Sequence, residues 1–128
     1  MTSRALADTS FFVANERGDD PATTLPDELA VSVITIGELR AGVLAANYPH
    51  VTARRLRTLN VAEMLDPLPV DEHVADAWSE LRLTLLALGR GMGVNDSWIA
   101  ATAIANGLPL LTLDADFADV PGLDVVSS

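Results

Sequence analysis

Short apolar runs alternate along this chain with longer stretches of helical period, and each run closes on an acid or a hydroxyl residue that can open the next helix. Strands separated by helices pair in parallel, with helices on both faces of the sheet, so the alternation restricts the fold class to α/β. Arg4 to Asp8 reads as a strand, with Thr9 or Ser10 capping a helix through Phe11, Phe12 and Val13. Leu29 to Ile34 is apolar at nearly every position, as in a strand covered on both sides, and Thr35 opens a helix to about Ala46. Leu108 to Leu113 forms a third run, ending at Asp114, and Leu123 to Val126 a last one.

Two further segments carry the helical period. They are Val51 to Leu65 and Asp71 to Leu88; in the second, Val74, Ala77, Trp78, Leu81, Leu85 and Leu88 share a stripe while Asp76 and Glu80 face away. Pro67-Leu-Pro-Val70, between them, fits a short edge strand. Asn95-Asp-Ser begins another helix, Trp98 to Ala105, closed by Asn106-Gly107. The polar stretch Asn15 to Glu28, with Gly18, Pro21 and Pro26, is a surface loop. With no internal repeat or low-complexity segment, residues 1–128 are expected to form one domain.

A chain of 128 residues buries enough surface to fold without covalent staples. Cysteine is absent, which excludes disulfides, thiolate metal sites and a cysteine nucleophile. No apolar run reaches membrane-spanning length, and Met1 to Asp8 puts an acid where a secretory leader would be apolar, so a cytoplasmic protein without membrane association is expected. The formal net charge is −10 and all eight basic residues are arginine, a balance that argues against nonspecific nucleic-acid binding over a broad basic surface. Acids that converge on cations would offset part of that charge. Arg54, Arg55 and Arg57 are the only dense basic group and the candidates for contacting phosphates of any nucleic acid this chain engages, with Arg40, Arg82 and Arg90 as helpers; a solvated helix face is the plain alternative.

In open parallel sheets, ligands bind beyond the carboxyl ends of the strands. Asp8 and Asp114 sit at such ends, Asp96 starts a helix whose Ala100, Ala101, Ala103 and Ala105 allow close packing on the sheet, and Glu38 lies in the first turn of the helix expected from Thr35. All four can converge on one rim. Carboxylates brought together raise each other's pKa and call for a cation, and oxygen ligands alone favour Mg²⁺ or Mn²⁺ over zinc. Such ions activate water and neutralise charge on a phosphate, with no protein nucleophile required. Each acid also has a structural reading: Thr35-x-x-Glu38 fits a capping box, Asp96 complements a helix dipole, and Asp114 caps the turn before Phe117.

At these same residues the chain resembles a known family. Asp8-Thr-Ser10, Ile36-Gly-Glu-Leu39, Asn95-Asp-x-x-Ile-Ala-Ala-Thr-Ala103 and Thr112-Leu-Asp-x-Asp-Phe117 resemble, in order and spacing, the four motifs of PIN-domain VapC toxins. The resemblance implies an α/β/α sandwich with a central, mainly parallel sheet, Mg²⁺-dependent endoribonuclease activity on RNA, a homodimer, and neutralisation by a cognate VapB antitoxin in a type II toxin–antitoxin system. Carried over by position, Asp8 and Asp96 are the principal metal ligands, and Glu38 and Asp114 complete the acidic catalytic site. Asp116 binds metal, orients water or only caps a turn; Ser10 positions Asp8 or a water, or simply caps a helix.

Other chemistries fit less well. Neither His50 nor His73 lies beside a serine in a nucleophile elbow, so a Ser-His-Asp hydrolase is not expected. Asp114-x-Asp116 also resembles the nucleophile motif of haloacid-dehalogenase-like phosphatases, but Ala118 stands where that family has Thr or Val, and the chain has no lysine. Gly89-Arg-Gly-Met-Gly93 follows a helix and lacks the lysine of a phosphate loop, which makes it a connection into Asn95. The rival function is a non-cleaving PIN-like module that docks RNA or an antitoxin.

Overall fold

Residues 3–19 and 25–127 are described by the structure, a computed structural model. Four strands, β1 (Arg4–Ala7), β2 (Glu28–Ala30), β3 (Leu110–Thr112) and β4 (Val125–Ser127), form a sheet in the order β2-β1-β3-β4, with every pairing parallel. Five helices surround it: α1 (Thr9–Glu16), α2 (Val33–Leu44), α3 (Pro49–Glu63), α4 (Glu72–Ala87) and α5 (Val94–Ala105).

Alternation along the strands divides the core in two, because successive side chains leave opposite faces of the pleat. Ala5, Ala7 and Leu111 pack with Phe11, Phe12, Leu39, Leu59 and Ala62, from α1, α2 and α3. Leu6 and Leu110 pack on the other side with Leu81, Leu85, Ile99, Ala100, Ala103 and Phe117. A sheet buried on both faces has no polar side, which is why its strands read as continuous apolar runs. The expected α/β/α layering is the one found, and Ala100, Ala101 and Ala103 are completely buried where α5 lies against the sheet.

The helix starts differ from expectation. Asp8, rather than Thr9 or Ser10, caps α1 through the Phe11 amide. β2 stops at Ala30, and Ser32 caps α2 by accepting from the Ile34 amide at 3.1 Å, so Val33 and Ile34 are helical and Thr35 lies buried inside the helix. Glu38 is therefore in the second turn, and the capping-box reading of Thr35 fails. Pro67–Val70 gives no strand of the sheet but one isolated parallel bridge between Ser32 and Leu68. Leu88 leaves the core stripe; it is the C-cap of α4 and is exposed. Residues 20–24 of the expected loop, Pro21 among them, lie outside the described residues. Among the described residues no helix is long and apolar enough to cross a membrane.

From β1 the chain passes to β2 on one side of the sheet and later to β3 on the other, which makes the β1/β3 junction the point where strand order reverses. Crevices form at such points beyond the strand ends.

Candidate functional site

Asp8 follows β1 and Asp114 follows β3, so both stand at that junction. The Asp8 side chain is almost fully buried and accepts three hydrogen bonds: from Ser10 Oγ at 2.7 Å, Thr112 Oγ1 at 2.6 Å and the Phe11 amide at 3.2 Å. Burial raises its pKa, the three donors pull it back, and the charge of Asp114 pushes it up further; the net direction is upward. Ser10 thus positions Asp8 instead of capping the helix.

The turn after β3 is built by its own side chains. Thr112 Oγ1 accepts from the Asp114 amide at 2.9 Å, Asp114 accepts from the Asp116 amide at 2.9 Å, and Ser10 Oγ accepts from the Leu113 amide at 3.0 Å. A 3₁₀ turn, Ala115–Phe117, follows and is pinned by the fully buried Phe117. Across from it Asp96 lies in the first turn of α5, where the helix dipole favours an anion. Gly93 precedes it without a side chain, and a β-carbon there would come within 3.5 Å of the Asp96 carboxylate.

Carboxylate oxygens of Asp96, Asp114 and Asp116 lie within 4.8 Å of one another. The expectation named Asp8, Glu38, Asp96 and Asp114 as the set; the tightest triple includes Asp116 and omits Asp8 and Glu38. Those two remain close enough for their charges to act on Asp96, whose pKa is pushed up to about 6 by burial first and then by Asp114, Glu38, Asp8 and Asp116. Glu38 is held by Thr9 Oγ1 at 2.6 Å and Asn95 Nδ2 at 3.5 Å. Shallow cavities of about 360 Å³ flank the cluster, one lined by Glu38, Asn95 and Asp96, the other by Arg90, Met92 and Asp116.

Among the described residues no arginine pairs with any of these five acids; the two ion pairs, Arg40 with Glu63 and Arg54 with Glu16, are elsewhere. A set of crowded, uncompensated oxygen donors suits a hard divalent cation, and its chemistry fits the Mg²⁺ or Mn²⁺ expected here. The sequence offered Thr9 as a helix cap and Asn95 as a helix start, and gave none of Thr9, Asn95 and Thr112 a part in holding the site acids. Their positions beside Asp8, Asp96 and Asp114 were the available signal.

The expected RNA-contacting arginines lie on α3. Arg54 is tied to Glu16, and Arg55 donates to the Gly42 carbonyl at 2.7 Å, which leaves Arg57 beside Phe12 and Val61 in a separate cavity of about 320 Å³. Trp78 and Trp98 stack with ring centroids 4.5 Å apart, and Trp78 Nε1 donates to Ser97 Oγ, which fits packing between α4 and α5.

A family model described as PIN domain matches residues 5–123. The chain is 47% identical to Ribonuclease VapC4 of Mycobacterium tuberculosis over 97% of its length and 96% of that protein's, and 44% identical to Ribonuclease VapC5 of the same organism over 91% and 87%. Its fold matches a member of the VapBC family of toxin-antitoxin systems, VapBC-5 from Mycobacterium tuberculosis, with a TM-score of 0.89 and 37% identity over 98% of this chain and 99% of that one.

Proposed function

This chain belongs to the PIN-domain family, among the VapC ribonucleases, and from that premise we propose that it is a divalent-metal-dependent endoribonuclease, the toxin of a VapBC-type system. The observation that carries the reading is the cluster of Asp96, Asp114 and Asp116, crowded within 4.8 Å, with no carboxylate among them ion-paired to an arginine among the described residues, and placed at the strand-order reversal. Asp8, Glu38, Asp96, Asp114 and Asp116 would hold the metal, with Mg²⁺ the working ion and Mn²⁺ a substitute. A bound ion of this kind lowers the pKa of the attacking water and neutralises charge on the scissile phosphate.

The protein's part is to keep those donors in place. Thr112 and Ser10 fix the Asp8 carboxylate, Thr9 and Asn95 fix Glu38, and Asp114 ties down the turn that carries Asp116. Burial and the neighbouring acids push the Asp96 pKa up to about 6, so a cation held there would favour its carboxylate form. No serine or cysteine nucleophile is needed, so each turnover is one hydrolysis at phosphorus.

We further place the chain in the cytoplasm as a single-domain homodimer whose activity a VapB-type antitoxin masks. Support for the partner is that the matched VapBC-5 structure is of a toxin–antitoxin system. The test is cleavage of total cellular RNA by the unaltered protein, Asp8→Asn and Asp96→Asn, with Mg²⁺, Mn²⁺ or chelator. Discrete fragments only from the unaltered protein with metal are expected; tight RNA or antitoxin binding without cleavage under any divalent ion would favour the binding module.

A further inference from the structure

Among the described residues Arg90 is the one arginine that spends its guanidinium on the loop carrying site carboxylates. Its backbone is fixed first. Gly89 adopts φ 65°, the Gly89 amide donates to Leu86 O at 3.1 Å and the Arg90 amide to Leu85 O at 2.9 Å, the paired hydrogen bonds of a Schellman helix end. From that anchor the side chain crosses to the turn after β3. Nη1 donates to Asp119 O at 2.7 Å, and Nη2 to Ala118 O at 2.6 Å and Asp116 O at 3.3 Å.

Those carbonyls end a turn that reverses at Asp119, whose φ of 57° is a left-handed conformation that aspartate tolerates better than most residues. Phe117 holds the turn from the core side, but its ring is buried against α4 and α5 and leaves the Asp116 carboxylate exposed at the rim. The geometry points to Arg90 as a positioning residue for the metal site: it clamps the Asp116–Asp119 backbone to the α4–α5 connection and so keeps Asp114 and Asp116 in register with Asp96 on the next helix. The inference rests on the metal-binding reading above.

Charge and position make opposite predictions, which gives the test its direction. A guanidinium near the cluster opposes a second cation, so its removal on charge grounds alone strengthens metal binding. Its removal as a clamp weakens binding, and loss of a group that holds metal ligands in place costs about 10–100-fold in affinity. Lysine keeps the charge but cannot present a fork to several carbonyls at once.

The experiment measures Mn²⁺ binding by electron paramagnetic resonance for the unaltered protein, Arg90→Met and Arg90→Lys, with amide hydrogen exchange on the metal-free proteins. Both variants are expected to bind Mn²⁺ about tenfold more weakly, with faster exchange confined to residues 89–93 and 113–119 and with β1 and β3 still protected. Unchanged or tighter Mn²⁺ binding by Arg90→Met overturns the inference. Loss of protection throughout the sheet also overturns it, since Arg90 would then hold the fold and not the loop. If the unaltered protein binds no Mn²⁺, the metal reading itself fails, and the exchange comparison alone decides whether Arg90 holds the turn.

Discussion

Asp96 and Asp8 are acids that folding makes expensive to ionise. An acid whose folded-state pKa stands above its unfolded value binds protons more tightly when folded, so stability falls as pH rises between the two values. For Asp96 that window runs from 3.8 to about 6, and Asp8 acts in the same direction. Asp96→Asn removes the cost and keeps the shape. Urea unfolding of the metal-free proteins should therefore show the variant no more stable than the unaltered protein near pH 4 and clearly more stable at pH 7; a gap that shrinks with rising pH would contradict the assignment. The same variant should lose at least about 100-fold in metal-dependent RNA cleavage, more than the 10–100-fold typical of groups that only support ligands. Thr112→Val tests the support. It deletes the 2.6 Å donor to a buried carboxylate and the acceptor of the Asp114 amide, and should cost about 1–3 kcal/mol of stability at pH 7 by denaturant melts, with cleavage reduced as well.

At the level of elements, the strand and helix alternation was readable because the central strands β1 and β3 are buried on both faces, and a doubly buried strand is apolar nearly throughout. Boundaries were less readable. Val33 and Ile34 are β-branched and follow Ala30 and Val31 with only Ser32 between, so local preference assigns them to the strand; that Ser32, which tertiary packing buries completely, caps the helix and starts it before them. Ser32→Ala should accordingly destabilise the protein by about 1 kcal/mol through the lost cap, measured by thermal melts, with far-ultraviolet circular dichroism unchanged at low temperature. No loss of stability would mean that the cap at Ile34 carries no weight. The site followed the same division. Asp8, Glu38, Asp96 and Asp114 could be named because each falls in one of the four motifs, three of them where a strand ends or a helix begins. The place of Asp116 inside the tight triple depends on a 3₁₀ turn, and Arg90 reaches its carbonyls across 26 to 29 positions of sequence, a separation that periodicity does not encode.

Over the whole molecule the net charge of −10 sets how RNA can be held. Of the eight arginines, Arg40 and Arg54 pair with glutamates, Arg55 and Arg90 donate to backbone carbonyls, and Arg82 lies over the Trp78 ring, 5.7 Å from its centroid. Among the described residues that leaves Arg4, Arg17 and Arg57, which belong to the start of β1, the end of α1 and the middle of α3. Each phosphate neutralised on a single strand steepens the dependence of log affinity on log salt by about 0.7. Three arginines at most thus predict a slope no steeper than about −2. The measurement is fluorescence anisotropy of a labelled single-stranded RNA with Asp96→Asn, which should not cleave it, over a range of potassium acetate at fixed Mg²⁺. A shallow slope would place recognition in the metal site and in contacts with bases and sugars rather than with phosphates. A slope steeper than about −4 would require more phosphate contacts than this surface offers, and the ion-paired Arg40 and Arg54 would then have to leave their glutamates for the RNA.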